Sequence, residues 1–305
     1  MGLYIFQNIS MLSAIKKEIR TNNFFKRAAK PGSVLQLAFF RILIGCQIFY
    51  SSQSQLFYLL QTVKGTKKPT IIPDAIDLII SEMSVHYLKT IVNFLSVFLI
   101  FGLFTRIILP ILTIAYILLF SFWYSKFDAP IPWLYIWFPL IVLCFSKCSD
   151  ALSLDRLLNR TTPINKTSAE YRWPMEMVVV WLVYIYFASG IAKLVPFQKG
   201  IIWFNGATSQ NIMYNRFLDS VLFFIFKKPL FNYTAHATVF SALSLSAVII
   251  ELLTIVLLLT DKLNMVIFFL LVSMHLFLYL VGVPGFMQLS LILGISLLSP
   301  NKFNK

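Results

Sequence analysis

Long apolar runs alternate with short polar connections along the chain. The runs fall at residues 34–60, 88–104, 106–123, 132–149, 175–195, 236–260, 263–281 and 284–299. Each is close to the ~20 residues that carry a helix across a bilayer, or slightly short of it. The pattern predicts an all-α polytopic membrane protein with about eight transmembrane helices. Some neighbours are parted by only a few residues, such as Asp261-Lys262 and Gly282-Val283-Pro284-Gly285, which requires tight antiparallel hairpins. Residues 1–33 start apolar and turn basic, and read as a cytoplasmic amphipathic segment on the membrane surface. Residues 34–300 form the transmembrane domain and residues 301–305 a cytoplasmic tail. The connection at 196–235 is long and holds two aromatic pieces, IIWFNGATSQNIMYNRF and VLFFIFKKPLF. Both are too short to cross, so interfacial or re-entrant segments are expected there, and another at IIPDAIDLIISEM, residues 71–83.

Composition strengthens this reading. Of 305 residues, 58% are hydrophobic and 12% charged, and the mean hydropathy is +0.79, far too apolar for a soluble domain of this size. The net charge of +14 resides in the gaps between apolar runs and forms no aromatic-interleaved groove, which argues against nucleic acid as a partner and for membrane lipid. Lys and Arg are more abundant in the connections that fall inside when the N-terminus is cytoplasmic. Both termini are therefore expected on the cytoplasmic side of the cell (inner) membrane, and the 71–83 and 196–235 segments on the outer side. No cleavable leader is expected, because the basic residues follow the apolar start instead of preceding it. Cys144 and Cys148 share a helix face and could hold a metal, yet no His or acidic ligand nearby completes a set; two small buried side chains is the simpler account. P-loop, HExxH, GxSxG, CxxCH and paired-carboxylate signatures are absent, so hydrolase, ATPase and haem chemistry find no support.

The informative residues are the polar ones inside the apolar runs. Arg41 lies about 10 Å and Glu251 about 14 Å from the inner ends of their helices at 1.5 Å per residue. Opposite charge at similar depth makes them candidates for a structural ion pair. Lys193 and His275 fall in the outer leaflet, the side on which His236 and His86 are also expected. Lys193 could snorkel to the headgroups, or, desolvated, give up its proton and act as a base. Leu182, Tyr186, Ser189 and Lys193 follow one helix face at i+3 and i+4 spacing and give the lysine a semi-polar strip.

These residues carry a resemblance. YFASGIAKL at 186–194, followed by Trp203, Asn205 and Gly206, resembles the lysine-bearing signature of the HTTM domain, the membrane domain shared with vitamin K-dependent gamma-carboxylase. FFRILIG at 39–45, SLDRLL at 153–158, IIELLTIVLLL at 249–259 and MHLFLYLVGVPGFMQLSLILGISLLSP at 274–300 resemble further elements of that family in the same order. The resemblance implies that Lys193 is a catalytic base with His275 beside it, that Trp203, Asn205, Gly206 and Tyr186 belong to the substrate side, and that a reduced quinone is a possible cofactor. Short bacterial relatives of the sporulation-delaying-protein maturation type help process an exported peptide. The expected role is thus modification or maturation of an exported peptide, with docking supplied by the peptide or by a soluble partner subunit. The alternatives are a non-catalytic scaffold or immunity-type membrane partner, in which Lys193 is an anchor, and a small transporter.

Overall fold

The computed structural model describes residues 27–53, 82–127, 134–161, 167–194, 205–228, 237–260, 263–281 and 286–297. The protein is mostly helical. Helices α1 (Val34–Ser52), α2 (Glu82–Phe101), α3 (Thr105–Phe127) and α4 (Leu134–Cys144) are followed by a short α5 (Leu154–Leu157) and a long α6 (Ala169–Leu194). Then come α7 (Ala207–Arg216), a 3-10 turn, α8 (Val221–Phe226), α9 (Ala237–Leu253), α10 (Val256–Leu259), α11 (Asn264–Leu280) and α12 (Phe286–Leu297). Among the described residues, three stretches are long and apolar enough to cross a membrane: Val34–Ser52, Ala169–Leu194 and Ala237–Leu259. Shorter apolar stretches run over His86–Phe101, Thr105–Leu119, Tyr135–Cys144, Asn264–Leu280 and Gln288–Leu297.

The described residues divide into two units, 30–178, and 179–297 with 27–29. In the first, α1 packs on α2 and α4, and α3 packs on α2 and α4. Leu37, Phe40, Ile44, Val92, Leu99, Leu112, Ile136 and Leu140 form its core. A two-residue antiparallel bridge pairs β1 (Gly32–Ser33) with β2 (Thr167–Ser168) and fixes the start of α1 against that of α6.

Arg41 is the hub of this unit. Its guanidinium is fully buried and donates to the carbonyls of Cys148 (2.9 Å), Ala151 (3.5 Å), Leu152 (2.5 Å) and Ile100 (3.4 Å). Ile100 lies in the last turn of α2, where carbonyls have no helical partner, so the arginine satisfies a helix end and a turn together. Gly102 makes this possible. Its φ is +64°, and a Cβ there would come within 2.6 Å of Arg41 Nη1 and 2.5 Å of Ser153 Cβ. The Ser-x-Asp element completes the knot. Ser153 caps α5 by accepting from Arg156 N at 3.0 Å. Asp155 accepts from Phe104 N (2.9 Å), Thr105 N (2.8 Å) and the Thr105 hydroxyl (2.9 Å), closing the N-terminus of α3.

In the second unit α7 packs on α9, α9 on α11, α11 on α12, and α8 on α11. Met213, Phe240 and Val281 form a buried cluster against Phe217, Leu222 and Leu243.

The helices follow the apolar runs closely, with physical reasons for the departures. The fourth run stops as helix at Cys144, and its last residues turn to offer the carbonyl of Cys148 to Arg41. The fifth begins at Ala169, six residues before the run, and carries Pro174 in its second turn, where the missing N–H removes one helical hydrogen bond. The sixth breaks between Leu253 and Val256, where the Thr254 hydroxyl donates to the Glu251 carbonyl at 2.6 Å. Residues 1–26, residues 54–60 at the end of the first run and nearly all of the 71–83 segment lie outside the described residues.

Candidate functional site

Helix α6 presents Tyr186, Ser189 and Lys193 along one face, as the i+3, i+4 spacing requires. All three line a cavity of about 1010 Å³ in the second unit. Apolar side chains of α6, α9 and α11 form most of its wall, among them Ile185, Leu243, Ile250, Met274, Phe277 and Leu278. Helix α7 adds a polar strip of Thr208, Ser209, Asn211, Asn215 and Arg216.

Lys193 makes an ion pair with Glu251 of α9, and its Nζ also donates to the Ser189 hydroxyl at 3.2 Å. Ser189 in turn donates to Glu251 Oε1 at 3.4 Å. The lysine side chain is 14% exposed and the glutamate 8%. Neither charge is tolerable alone among apolar helices, so each supplies the neutralisation the other needs. Both interactions fall on Oε1. The second oxygen, Oε2, is buried and makes no hydrogen bond among the described residues.

The expected pairing of Arg41 with Glu251 is therefore corrected. The two Nη atoms of Arg41 donate to carbonyls, and Glu251 pairs with Lys193. Depth counted along separate helices gives no azimuth and depends on where each end is drawn. Lys193 is expected in the outer leaflet and Glu251 about 14 Å from the inner end of its own helix, yet the two side chains meet.

His275 is buried behind the cavity wall. Its Nε2 lies 3.0 Å from the Tyr186 hydroxyl and its Nδ1 2.5 Å from Ser290 Oγ of α12. The Tyr186 and His275 rings stack at 5.6 Å with 23° between planes. Lys193 thus faces the cavity directly, whereas His275 reaches it through Tyr186.

Gly206, at φ +75°, starts α7 and is pressed against α9, where a Cβ would lie 2.5 Å from Ser241 N. Asn205 Oδ1 accepts from Ala207 N at 2.9 Å and is spent on that turn. Both set the position of α7; neither lines the cavity. Trp203 and His236 lie outside the described residues, and His86 is exposed on α2. Among the described residues no group of three or more His, Cys, Asp or Glu could hold a metal ion; Cys148 is buried and Cys144 half-buried.

No family model, no curated protein and no solved structure matches the chain.

The arrangement can hold and move a proton. An ammonium and a carboxylate in contact can also exist as a neutral amine and a neutral acid, after one proton passes from Nζ to the carboxylate. Both forms carry no net charge, so the apolar surroundings tolerate either. The Tyr186–His275–Ser290 chain has the same property through the two tautomers of the imidazole. Sequence reasoning found Lys193, Tyr186, Ser189 and His275 but not the α7 strip. Its signal was present: polar residues recur through ATSQNIMYNR inside an otherwise aromatic connection.

Proposed function

We propose that this chain is a multi-pass protein of the cell membrane, resembling the HTTM domain, that modifies or matures an exported peptide at the Lys193 cavity. In this reading its apolar runs form about eight spans, both termini are cytoplasmic, and the 196–235 connection covers the cavity from outside. The carrying observation is the Lys193–Glu251 pair in the wall of a cavity of about 1010 Å³. That volume is at the top of the ~300–1,000 Å³ range usual for ligand sites. A lysine that only anchors a helix would point its ammonium toward the headgroups; this one turns along its own helix to Ser189 and across to Glu251.

Lys193 acts as the base. Glu251 takes the proton from Nζ, leaving a neutral amine whose lone pair accepts a proton from an acidic group of the substrate; the substrate anion is then held beside the reformed ammonium. Tyr186 orients the substrate, and His275 and Ser290 orient Tyr186. The cavity's apolar walls and few polar groups also fit the ring of a reduced quinone, which would supply an acidic hydroxyl when bound.

Charge alone does not substitute for a base, because arginine stays protonated at any accessible pH. In cells that export the peptide and hold equal amounts of each variant, Lys193→Arg is expected to lose maturation as fully as Lys193→Ala. Normal maturation by Lys193→Arg would overturn the base and favour a scaffold.

A further inference from the structure

The cavity has a charge balance that constrains what can enter it. Among the described residues its charged groups are Lys193 from α6, Glu251 from α9 and the exposed Arg216 at the end of α7; α11 contributes His275 only through Tyr186. The walls between them are apolar. An anion that approaches the Lys193 ammonium meets Glu251 already in place, and two anions sharing one ammonium in such surroundings repel strongly. The repulsion vanishes if Glu251 takes up a proton. Oε1 holds the contacts to Lys193 and Ser189, while Oε2 makes no hydrogen bond among the described residues. A proton added at Oε2 breaks no existing bond and frees the ammonium for the ligand.

We propose that the cavity binds an amphiphilic monoanion, an apolar body ending in one acidic group, and that one proton enters with it, carried on Glu251 while the ligand's anionic head replaces the Glu251 carboxylate on Lys193. The apolar body occupies the space among Ile185, Leu243, Ile250, Met274, Phe277 and Leu278. This rests on the reading of the cavity as a substrate site but not on Lys193 being a base. The shared chemistry has two sources, a lipid-like acid and the carboxyl terminus of an apolar peptide.

By linkage, uptake of one proton makes the affinity fall about tenfold for each unit rise in pH. The probe is decanesulfonate, which stays ionised at every pH used, so that any proton taken up belongs to the protein. Full-length protein in nanodiscs of zwitterionic lipid is titrated by calorimetry, against empty nanodiscs, in two buffers of different ionisation enthalpy. The wild type should take up about one proton per ligand with the tenfold slope. Glu251→Gln should bind with no proton uptake and no slope, and Lys193→Met should not bind. Lys193→Arg should retain both binding and uptake, which separates this test from that of the base. Displacement of decanesulfonate by N-acetyl-trileucine, but not by its amide, identifies a peptide terminus as the source; no displacement by either identifies a lipid-like acid. Absence of saturable binding, binding by the wild type without proton uptake, or uptake that survives Glu251→Gln would overturn the proposal. Should Glu251→Gln fail to fold, the wild-type proton count and slope decide alone.

Discussion

Arg41 and Lys193 are both cations drawn into apolar helices, and the protein holds them in opposite ways. Arg41 donates to carbonyls from α2 and from the turn after α4, with Gly102 leaving no room for a side chain beside its head. Its hydrogen bonds go to backbone carbonyls that cannot leave and cannot titrate, and the Asp155 carboxylate adds a favourable charge nearby. Among the described residues, Lys193 meets the titratable carboxylate of Glu251 and the hydroxyl of Ser189 on the wall of a large cavity. Its partner can change protonation state, and space adjoins it for a ligand. The side chains suit these tasks: a planar fork of donors fits a ring of fixed acceptors, and a single ammonium fits an exchangeable partner. A closed cradle holds a fold together, whereas an open pair remains available for chemistry.

The largest effect should come from removing each cation in turn. Arg41→Met leaves several buried carbonyls without donors, and we expect a loss of about 3–5 kcal/mol of stability. Lys193→Met should cost no more than about 2 kcal/mol, because Glu251 can take a proton and the cavity adjoins it. Unfolding of the two purified variants in mixed micelles compares them directly. Equal losses would erase the distinction between cradle and site.

Glycines beside the two cations offer a finer comparison. Gly102→Ala places a Cβ at positive φ against the Arg41 guanidinium and should cost about 2–3 kcal/mol. Gly190 lies on α6 one turn before Lys193, and a Cβ there would meet only side-chain atoms, the closest being Leu252 Cδ2 at 3.0 Å. Gly190→Ala should therefore fall below about 1 kcal/mol, since Ala also favours helix. The same unfolding measurement checks both, and a Gly190→Ala loss as large as that of Gly102→Ala would show the second unit to be packed as rigidly as the first.

The parts of this contrast differ in how far the sequence revealed them. The helices were legible because apolar runs between polar connections allow little else in a chain of this hydropathy. Arg41, Lys193, Glu251 and His275 stood out because an ionisable group within such a run needs a partner. Which partner was not legible. Sequence spacing fixes neighbours on one helix, so Tyr186, Ser189 and Lys193 were aligned correctly, but it does not say which helix faces which. Arg41 was assigned a carboxylate when its acceptors are backbone carbonyls, groups present at every residue and therefore silent in sequence. The α7 strip was hidden for a related reason: polar residues recur through ATSQNIMYNR, but their order does not say which helices they face.

The smallest effect sharpens the closed side of the comparison through pH. Asp155 lies outside the apolar helices, and burial alone would raise the pKa of its carboxyl. The backbone N–H groups of Thr105 and Phe104, the Thr105 hydroxyl and the charge of Arg160 outweigh that burial and hold the carboxyl below its usual range. A carboxylate whose pKa is lower folded than unfolded contributes stability that is complete above the unfolded value, near about 3.9. The contribution is lost as pH falls through the folded value. Asp155→Asn replaces one accepting oxygen with a donor facing N–H groups and should cost about 1–2 kcal/mol at neutral pH. The difference between wild type and Asp155→Asn in thermal midpoint should therefore stay constant from neutral pH to about pH 5 and narrow below about pH 4. Parallel curves down to the lowest pH at which the protein stays folded would mean that the Asp155 charge adds nothing, and that the cradle is closed by shape alone.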